Sequence, residues 1–440
     1  MTKTIGNRVG GFHLLILILL FPLLSPLARM EAGQAERKPI KVEVRNVAGA
    51  YQLFRNGESY YIKGAGGGLT KLSTLAEHGG NSLRTWSSRN AEATLDSAYT
   101  LGITVLLGLD VKRERHGFDY NDLDAVQKQL DKLKIEVQKY KDHPALLGWG
   151  IGNELNLHYS NKKVWNAVDD IAKMIHEIDG NHPATTMLAG IHKEEVDYIR
   201  ENCQNLDFLS VQMYADIINV RQRIAEAGWT GPYAVTEWGA TGHWEVPKTD
   251  WGAAIEHTST ERAALVRERF EKSIMQDTLQ CLGSFIFLWG RKQERTPTWY
   301  GLFLEDGEEM ESIDVMHYLW TGDWPQNRSP QIYDVVLEGK TRYDNIRLRP
   351  AEEVELRFRT QDFDRDSLQV IAELLRESTD LGEGGDYESR PETITGLIMS
   401  QHRDQVVFRT PTGSGAYRIF VYIKDGQNHA ATANVPFYVE

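Results

Sequence analysis

Eight short apolar runs, each followed by a longer amphipathic stretch, fill the chain between about residues 60 and 320. The runs are 60–65, 81–86, 103–110, 145–152, 184–190, 207–214, 233–239 and 284–290, and helical patterns such as 122–140, 164–178 and 261–279 lie between them. Strands alternating with helices imply βα units and a parallel sheet. Eight such units in ~260 residues is the size of a closed (β/α)8 TIM barrel. An open doubly wound sheet is the alternative, and the regularity of the repeats favours closure.

The flanks read differently. Residues 39–59 form a hairpin pattern around Asn56-Gly57, a strong two-residue turn signal, placed to cover the N-terminal mouth of the barrel. After about residue 325 the helix signals thin out. Short alternating runs follow at 354–360, 368–375, 405–410, 417–425 and 431–440, separated by turn-rich segments at 381–391 and 410–415. These predict a small C-terminal immunoglobulin-like β-sandwich, with Pro325, Pro330 and Pro350 in the linker region. The expected organisation is a barrel domain over 39–325 and a sandwich over 326–440.

Residues 1–32 carry Lys3 and Arg8, then an apolar segment over 14–24 broken by Pro22, then Ser25, Pro26 and Ala28. A bilayer span needs about 20 apolar residues. The segment therefore reads as a signal peptide cut after Ala28 or Ala32, with an uncleaved signal-anchor as the alternative. Export to the periplasm, the cell envelope or the medium is the expectation. No membrane partner is expected beyond that possible N-terminal anchor.

The net charge of −13 argues against nucleic acid as a partner, since phosphate neutralisation needs clustered Lys and Arg. It does not exclude a neutral glycan, and the 11 tryptophans suit one. The two cysteines, Cys203 and Cys281, each fall near a predicted helix end before non-adjacent strands, and two separate buried thiols are expected.

In a barrel of this kind the C-terminal strand ends point into the active site. Read in order, they supply Arg84 and Trp86, Asp110, Asn153 and Glu154, Tyr214, Glu237, and Trp289. So many polar groups at buried strand ends are costly unless they satisfy one another or a ligand. Glu154 and Glu237 end separate strands, which is what retaining hydrolysis of a glycosidic bond needs. Glu154, partly buried beside a second carboxylate, suits the acid/base. Glu237 suits the nucleophile, with Arg84 and Tyr214 as its cation and hydrogen-bond donor. Asn153 is placed for a sugar 2-hydroxyl, and Trp289 for a stacking floor. Trp86 and Asp110 are open between sugar contact and packing or capping. The long 239–261 segment brings His243, Trp244 and Trp251, either as specificity residues or as a self-packed lid. The charged segment 110–122 either lines the cleft or forms a solvated face, and the solvated face is the expectation.

Other motifs fail. The glycine-rich 64–71 lacks the Gly-Lys-Ser/Thr ending of a phosphate loop, and no His/Cys cluster has zinc spacing. Asp362, Asp364, Asp366 and Glu373 fall at calcium-loop offsets, but Ser367 stands where a glycine is required, so a polar turn is expected. The residues ask for no metal and no other cofactor.

Taken together, Arg84, the Asn153-Glu154 pair in WGIGNE, Tyr214, Glu237 in TEWG and Trp289 make residues 45–320 resemble the clan A glycoside hydrolases. The segment is most similar to the barrel domain of family 2 glycoside hydrolases. The resemblance implies a retaining double displacement on β-glycosidic bonds, with Glu154 as acid/base, Glu237 as nucleophile and their carboxyl groups about 5–5.5 Å apart. Arg84, Trp86, Asn153, Tyr214, His243, Trp244 and Trp289 are the expected substrate-binding residues, and the expected partner is an oligo- or polysaccharide. The layout departs from that family, whose sandwich domains usually precede the barrel. Glucan-remodelling transglycosylases share the barrel-first layout, so β-glucan transglycosylation is a second expectation. A non-catalytic glycan-binding envelope protein is a third.

Overall fold

The computed structural model describes residues 38–440. The export segment expected over 1–32 lies outside the described residues. Strands β1 (Val42–Val47), β2 (Ala50–Arg55) and β3 (Glu58–Tyr60) form an antiparallel meander, one strand more than the expected hairpin. Asn56 and Gly57 make the second turn at φ +54° and +82°, and Arg55 and Glu58 pair across it. Both positive φ values explain why Asn-Gly stands there.

The barrel strands are β4 (Ile62–Gly67), β5 (Ser82–Arg84), β6 (Thr104–Leu109), β7 (Leu146–Ile151), β8 (Ala184–Ala189), β9 (Phe208–Gln212), β10 (Tyr233–Gly239) and β11 (Cys281–Trp289). They run parallel in sequence order, and β11 closes the ring on β4. Between them lie α1 (Leu72–Glu77), α2 (Ala91–Thr100), α3 (Leu123–Tyr140), α4 (Lys163–Ile178), α5 (Lys193–Asn202), α6 (Val220–Glu226) and α7 (Ser259–Lys272). Local chemistry sets their ends. Asp122 caps α3 by accepting from the Ala125 N–H at 3.0 Å, and Thr258 with Glu261 forms a capping box at α7. The apolar face of α4 (Val164, Val168, Ile171, Ile175) is buried against the barrel, as its 3.6-residue spacing requires.

The meander plugs the bottom of the barrel. Val42 and Leu53 join Ile62, Phe208 and Leu282, which lie near the beginnings of their strands, and Phe285 at the middle of β11, in one buried cluster. Phe285 has its room because Gly64 carries no side chain: a Cβ there would stand 2.3 Å from the ring. Truncating this ring, Phe285→Ala, is expected to cost about 3–5 kcal/mol by opening a cavity among residues that cannot collapse, read as a lower urea midpoint with the cleft chemistry at the opposite end spared.

After β11 the chain forms β12 (Glu309–Met310) and α8 (Glu311–Thr321), then strands β13 (Gln331–Leu337), β14 (Arg347–Leu348), β15 (Glu353–Gln361), β16 (Gln369–Arg376), β17 (Ile398–His402), β18 (Gln405–Arg409), β19 (Gly415–Lys424) and β20 (His429–Val439). Two sheets result, β13-β15-β18-β17 and β12-β20-β19-β16, with β14 on the edge of β20. Their facing side chains, among them Leu356, Phe408, Ile419 and Phe437, make a second core. The fold is thus a TIM barrel followed by a β-sandwich.

Barrel and sandwich form one compact unit. Residues 309–310, directly downstream of the barrel strands, pair with the start of β20. Buried Arg418 of β19 donates to the Ala254 carbonyl at 2.8 Å. Asn434 of β20 donates to Glu256, which also accepts from Thr296 and Thr298. The loops after β10 and β11 are therefore held by the sandwich. Among the described residues no helix is long and apolar enough to cross a membrane. Cys203 and Cys281 are both buried and free.

Candidate active site

The end of the barrel at the C-termini of its strands is shaped first by glycines. Gly66 leaves space for the Trp86 ring, which would stand 3.0 Å from a Cβ. Gly108 lets the backbone of Thr85 and Trp86 cross β6, with the Thr85 carbonyl at 2.5 Å from a would-be Cβ. After β7 the chain turns through Gly152 at φ +71° and Glu154 at φ +50°. A glutamate in the left-handed region is strained by ~1–3 kcal/mol. Its N–H donates to the Met187 carbonyl at 3.0 Å, which holds the turn.

Glu237 is 5% exposed and surrounded by donors. Arg84 and Trp86 (2.8 Å) donate to Oε1, as does Gln212 at 3.0 Å, and Tyr214 donates to Oε2 at 3.0 Å. Three N–H donors converge on Oε1 and one hydroxyl on Oε2, a partner set that suits a carboxylate. Burial and the Glu237 charge push the Tyr214 phenol well above its ordinary pKa, so it stays a donor. Arg84 is fully buried; it donates also to Asn153 Oδ1, and its guanidinium lies 4.8 Å from the Trp86 ring. Arg84→Met is expected to destabilise the fold by about 3–5 kcal/mol, because it leaves a buried carboxylate without its cation. A thermal-unfolding comparison with Glu237→Gln/Arg84→Met checks this: the second substitution should recover part of the loss.

Asn153 is fixed by two donors on Oδ1, Arg84 and Gln212 (2.7 Å), which orients its amide nitrogen away from both. Its carbonyl accepts from Arg113 Nε at 3.0 Å. No protein hydrogen bond to the Glu154 carboxyl occurs among the described residues. Burial first, and the Glu237 charge second, raise its pKa to about 7. A carboxyl that keeps its proton to neutral pH and has no protein partner is poised to give that proton to a ligand.

Glu154 and Glu237 line one cavity of about 420 Å³ with Trp86, Asn153, Tyr214 and Trp244, a volume within the ~300–1,000 Å³ of small-ligand sites. A second cavity of about 710 Å³ includes Glu154, Tyr214 and Trp244 but not Glu237. Trp244 is 56% exposed and meets Tyr214 edge-on at 5.4 Å between centroids. His243 lines the second cavity and stands 3.6 Å from Glu294.

Trp289 needs correction. It is buried against Phe303 and Trp320, and its indole N–H donates to the Lys71 carbonyl at 3.0 Å. The pairing of β11 with β4 slips between Ile286 and Trp289. That break in alternation gives the cleft Phe287 and Leu288 in its place. Asp110 pairs with Lys112 outside both cavities, and Trp251 packs on Tyr438 of the sandwich. The 110–122 segment takes its other expected place and lines the cleft: Arg113 borders the cavity that holds Glu154 and Glu237, and Arg115 grips the sandwich. Gln212, which bonds both Asn153 and Glu237, was not among the expected site residues; its signal was a polar side chain two residues after Ser210, on the same face of β9.

Among the described residues, the one acidic group compact enough for a shared cation is Asp362, Asp366 and Asp425, in the sandwich. Asp425 already accepts from Asn327 and from the N–H groups of Gln427 and His429, and the Asp366 N–H donates to Asp362.

No protein-family model matches the sequence, and no curated protein does. Solved structures do match. A Bacteroides uniformis β-glucuronidase aligns over 91% of this chain and 48% of its own, at 14% identity and a TM-score of 0.50. The same organism's β-glucuronidase 2, covalently bound to cyclophellitol-6-carboxylate aziridine, aligns over the same shares at 13% identity and a TM-score of 0.51. The chain shares its fold with these glycosidases. A Dictyoglomus thermophilum β-D-glucuronidase aligns over 64% of this chain and 54% of its own, at 16% identity and a TM-score of 0.50. The chain spans about half the length of the first two. The resemblance to the barrel domain of family 2 glycoside hydrolases holds at the level of fold.

Proposed function

We propose that the protein is an exported retaining β-glycosidase. One observation carries the reading: a single cavity sets a proton-holding carboxyl, Glu154, against a carboxyl ringed by donors, Glu237. In the first step Glu237 attacks the anomeric carbon as Glu154 protonates the departing oxygen, leaving a glycosyl ester on Glu237. In the second, Glu154 as carboxylate takes a proton from water, which attacks the same carbon and frees Glu237. Arg84, Trp86, Gln212 and Tyr214 hold Glu237 in position throughout, and the Asn153 amide nitrogen is aimed for a sugar hydroxyl. Export rests on the sequence of residues 1–32.

Transglycosylation is a second reading, favoured by the 710 Å³ cavity on the Glu154 side, which has room for an acceptor sugar. The test is release of nitrophenol from p-nitrophenyl β-glucoside, β-galactoside, β-mannoside, β-xyloside and β-glucuronide. The glucuronide belongs in the panel because Arg113, Arg291 and Lys292 line the catalytic cavity and the fold neighbours are β-glucuronidases. Turnover of at least one, lost in Glu237→Ala, is the expected result; in Glu154→Ala it should fall least on p-nitrophenyl glycosides, whose leaving group needs little protonation, and most on the matching glycoside of a simple alcohol. Turnover that survives undiminished in Glu237→Ala, or an equal loss on both leaving groups in Glu154→Ala, would overturn the mechanism.

A further inference from the structure

The turn-rich 381–391 segment of the sandwich does not stay on the sandwich. Arg115, after β6, donates to both carboxylate oxygens of Asp386 (2.7 and 3.2 Å) and to the carbonyls of Glu383 and Gly384. Arg295, after β11, is tied to Glu388 through its backbone N–H at 2.6 Å and its guanidinium at 2.8 Å. The Arg115 side chain is 8% exposed and that of Glu388 is fully buried. Such shielded, charge-assisted clamps hold a loop in one place. Two glycines allow the close approach: Gly384 at φ +53°, where a Cβ would meet Leu157 at 2.4 Å, and Gly385 at φ +80° beside Lys292.

Held this way, the loop borders both cavities of the cleft. Gly384 lines both cavities described above, and Gly385 lines the catalytic one. Further along, Tyr387 and Glu388 line a third cavity of about 990 Å³, which shares Arg291 and Lys292 with the catalytic cavity. Tyr387 is 85% exposed, although both its neighbours, Asp386 and Glu388, are clamped. In the lining of the same cavity, Glu373 collects hydrogen bonds from Arg390, Thr393 and Tyr422. An exposed aromatic ring and polar side chains lining one cavity are what a pyranose asks for, an apolar face for stacking and partners for its hydroxyls.

We infer that the sandwich completes the active site, and that Tyr387 is the platform of a distal subsite for a further sugar unit of a β-linked oligosaccharide. This rests on the glycosidase reading. The experiment compares wild type, Tyr387→Ala and Tyr387→Phe on two substrates sharing the glycone found with the panel: its p-nitrophenyl monoside and its β-linked tetrasaccharide. Tyr387 contributes to no core, so the variants should keep the wild-type melting temperature. The expected result is a KM for the tetrasaccharide raised about 5- to 10-fold in Tyr387→Ala, with kcat within two-fold, the monoside unchanged, and Phe restoring the wild-type KM. An unchanged tetrasaccharide KM in Tyr387→Ala overturns the subsite and leaves the glycosidase reading standing. A wild type inactive on every sugar overturns both.

Discussion

Glu237→Gln is expected to lower kcat by on the order of 10⁴–10⁶-fold, the scale of losing a covalent nucleophile, while glycan binding survives. The site accepts the amide without rearrangement. Its oxygen can stand where Oε1 receives Arg84, Trp86 and Gln212, and its nitrogen can donate to Tyr214, whose hydroxyl also accepts. Calorimetric binding of a substrate oligosaccharide to the inactive variant separates lost chemistry from lost structure. The substitution has a second consequence. The Glu237 charge helps raise the pKa of Glu154, so the Glu154 carboxyl in Glu237→Gln should titrate below its wild-type value of about 7.

Glu154→Gln should remove the other half of the chemistry. For substrates with poor leaving groups, kcat/KM is expected to fall about 10²- to 10⁴-fold, the usual worth of a general acid. The pH profile gives the sharper signature. Glu154 must be protonated for the first step, and its pKa stands near 7, so wild-type kcat/KM should decline as pH rises through about 7. In Glu154→Gln that limb should vanish. The stability consequence has the same sign. A carboxyl with its folded pKa raised from 4.5 to about 7 favours the fold most below 4.5 and loses that contribution as pH rises through 7. Wild type should therefore lose stability relative to Glu154→Gln across that window, measured as the difference in urea midpoints at pH 4.5 and 8.

The barrel was legible because its signal is periodic and long: each strand run reappears within a few residues of its expected bounds. The carboxylate pair was legible because strand ends in a closed barrel converge whatever the loops do. Trp289 was placed in the cleft as the last residue of its strand, and the register shift between Ile286 and Trp289, which no local composition announces, turns it into the core instead. In the sandwich, β13 was missed because Asp334 and its positive φ interrupt the run after Pro330, and β17 because its residues are half-exposed and do not alternate. The contribution of Arg115 and the 381–391 loop had no sequence signature at all. It depends on a contact between residues some 270 positions apart, and only the folded chain brings a glycine-rich turn of the sandwich to the mouth of the barrel.

The central claim is that Glu237 carries the sugar as a covalent ester. Its most direct test is to incubate the protein with the 2-deoxy-2-fluoro-β-glycosyl fluoride of whichever glycone the panel identifies, then digest it and map the added mass. The account predicts one glycosyl adduct per chain, on the carboxyl of Glu237, formed by wild type and absent from Glu237→Gln. Rapid turnover of the parent glycoside with the adduct on another residue, or with no adduct at any time, would contradict it.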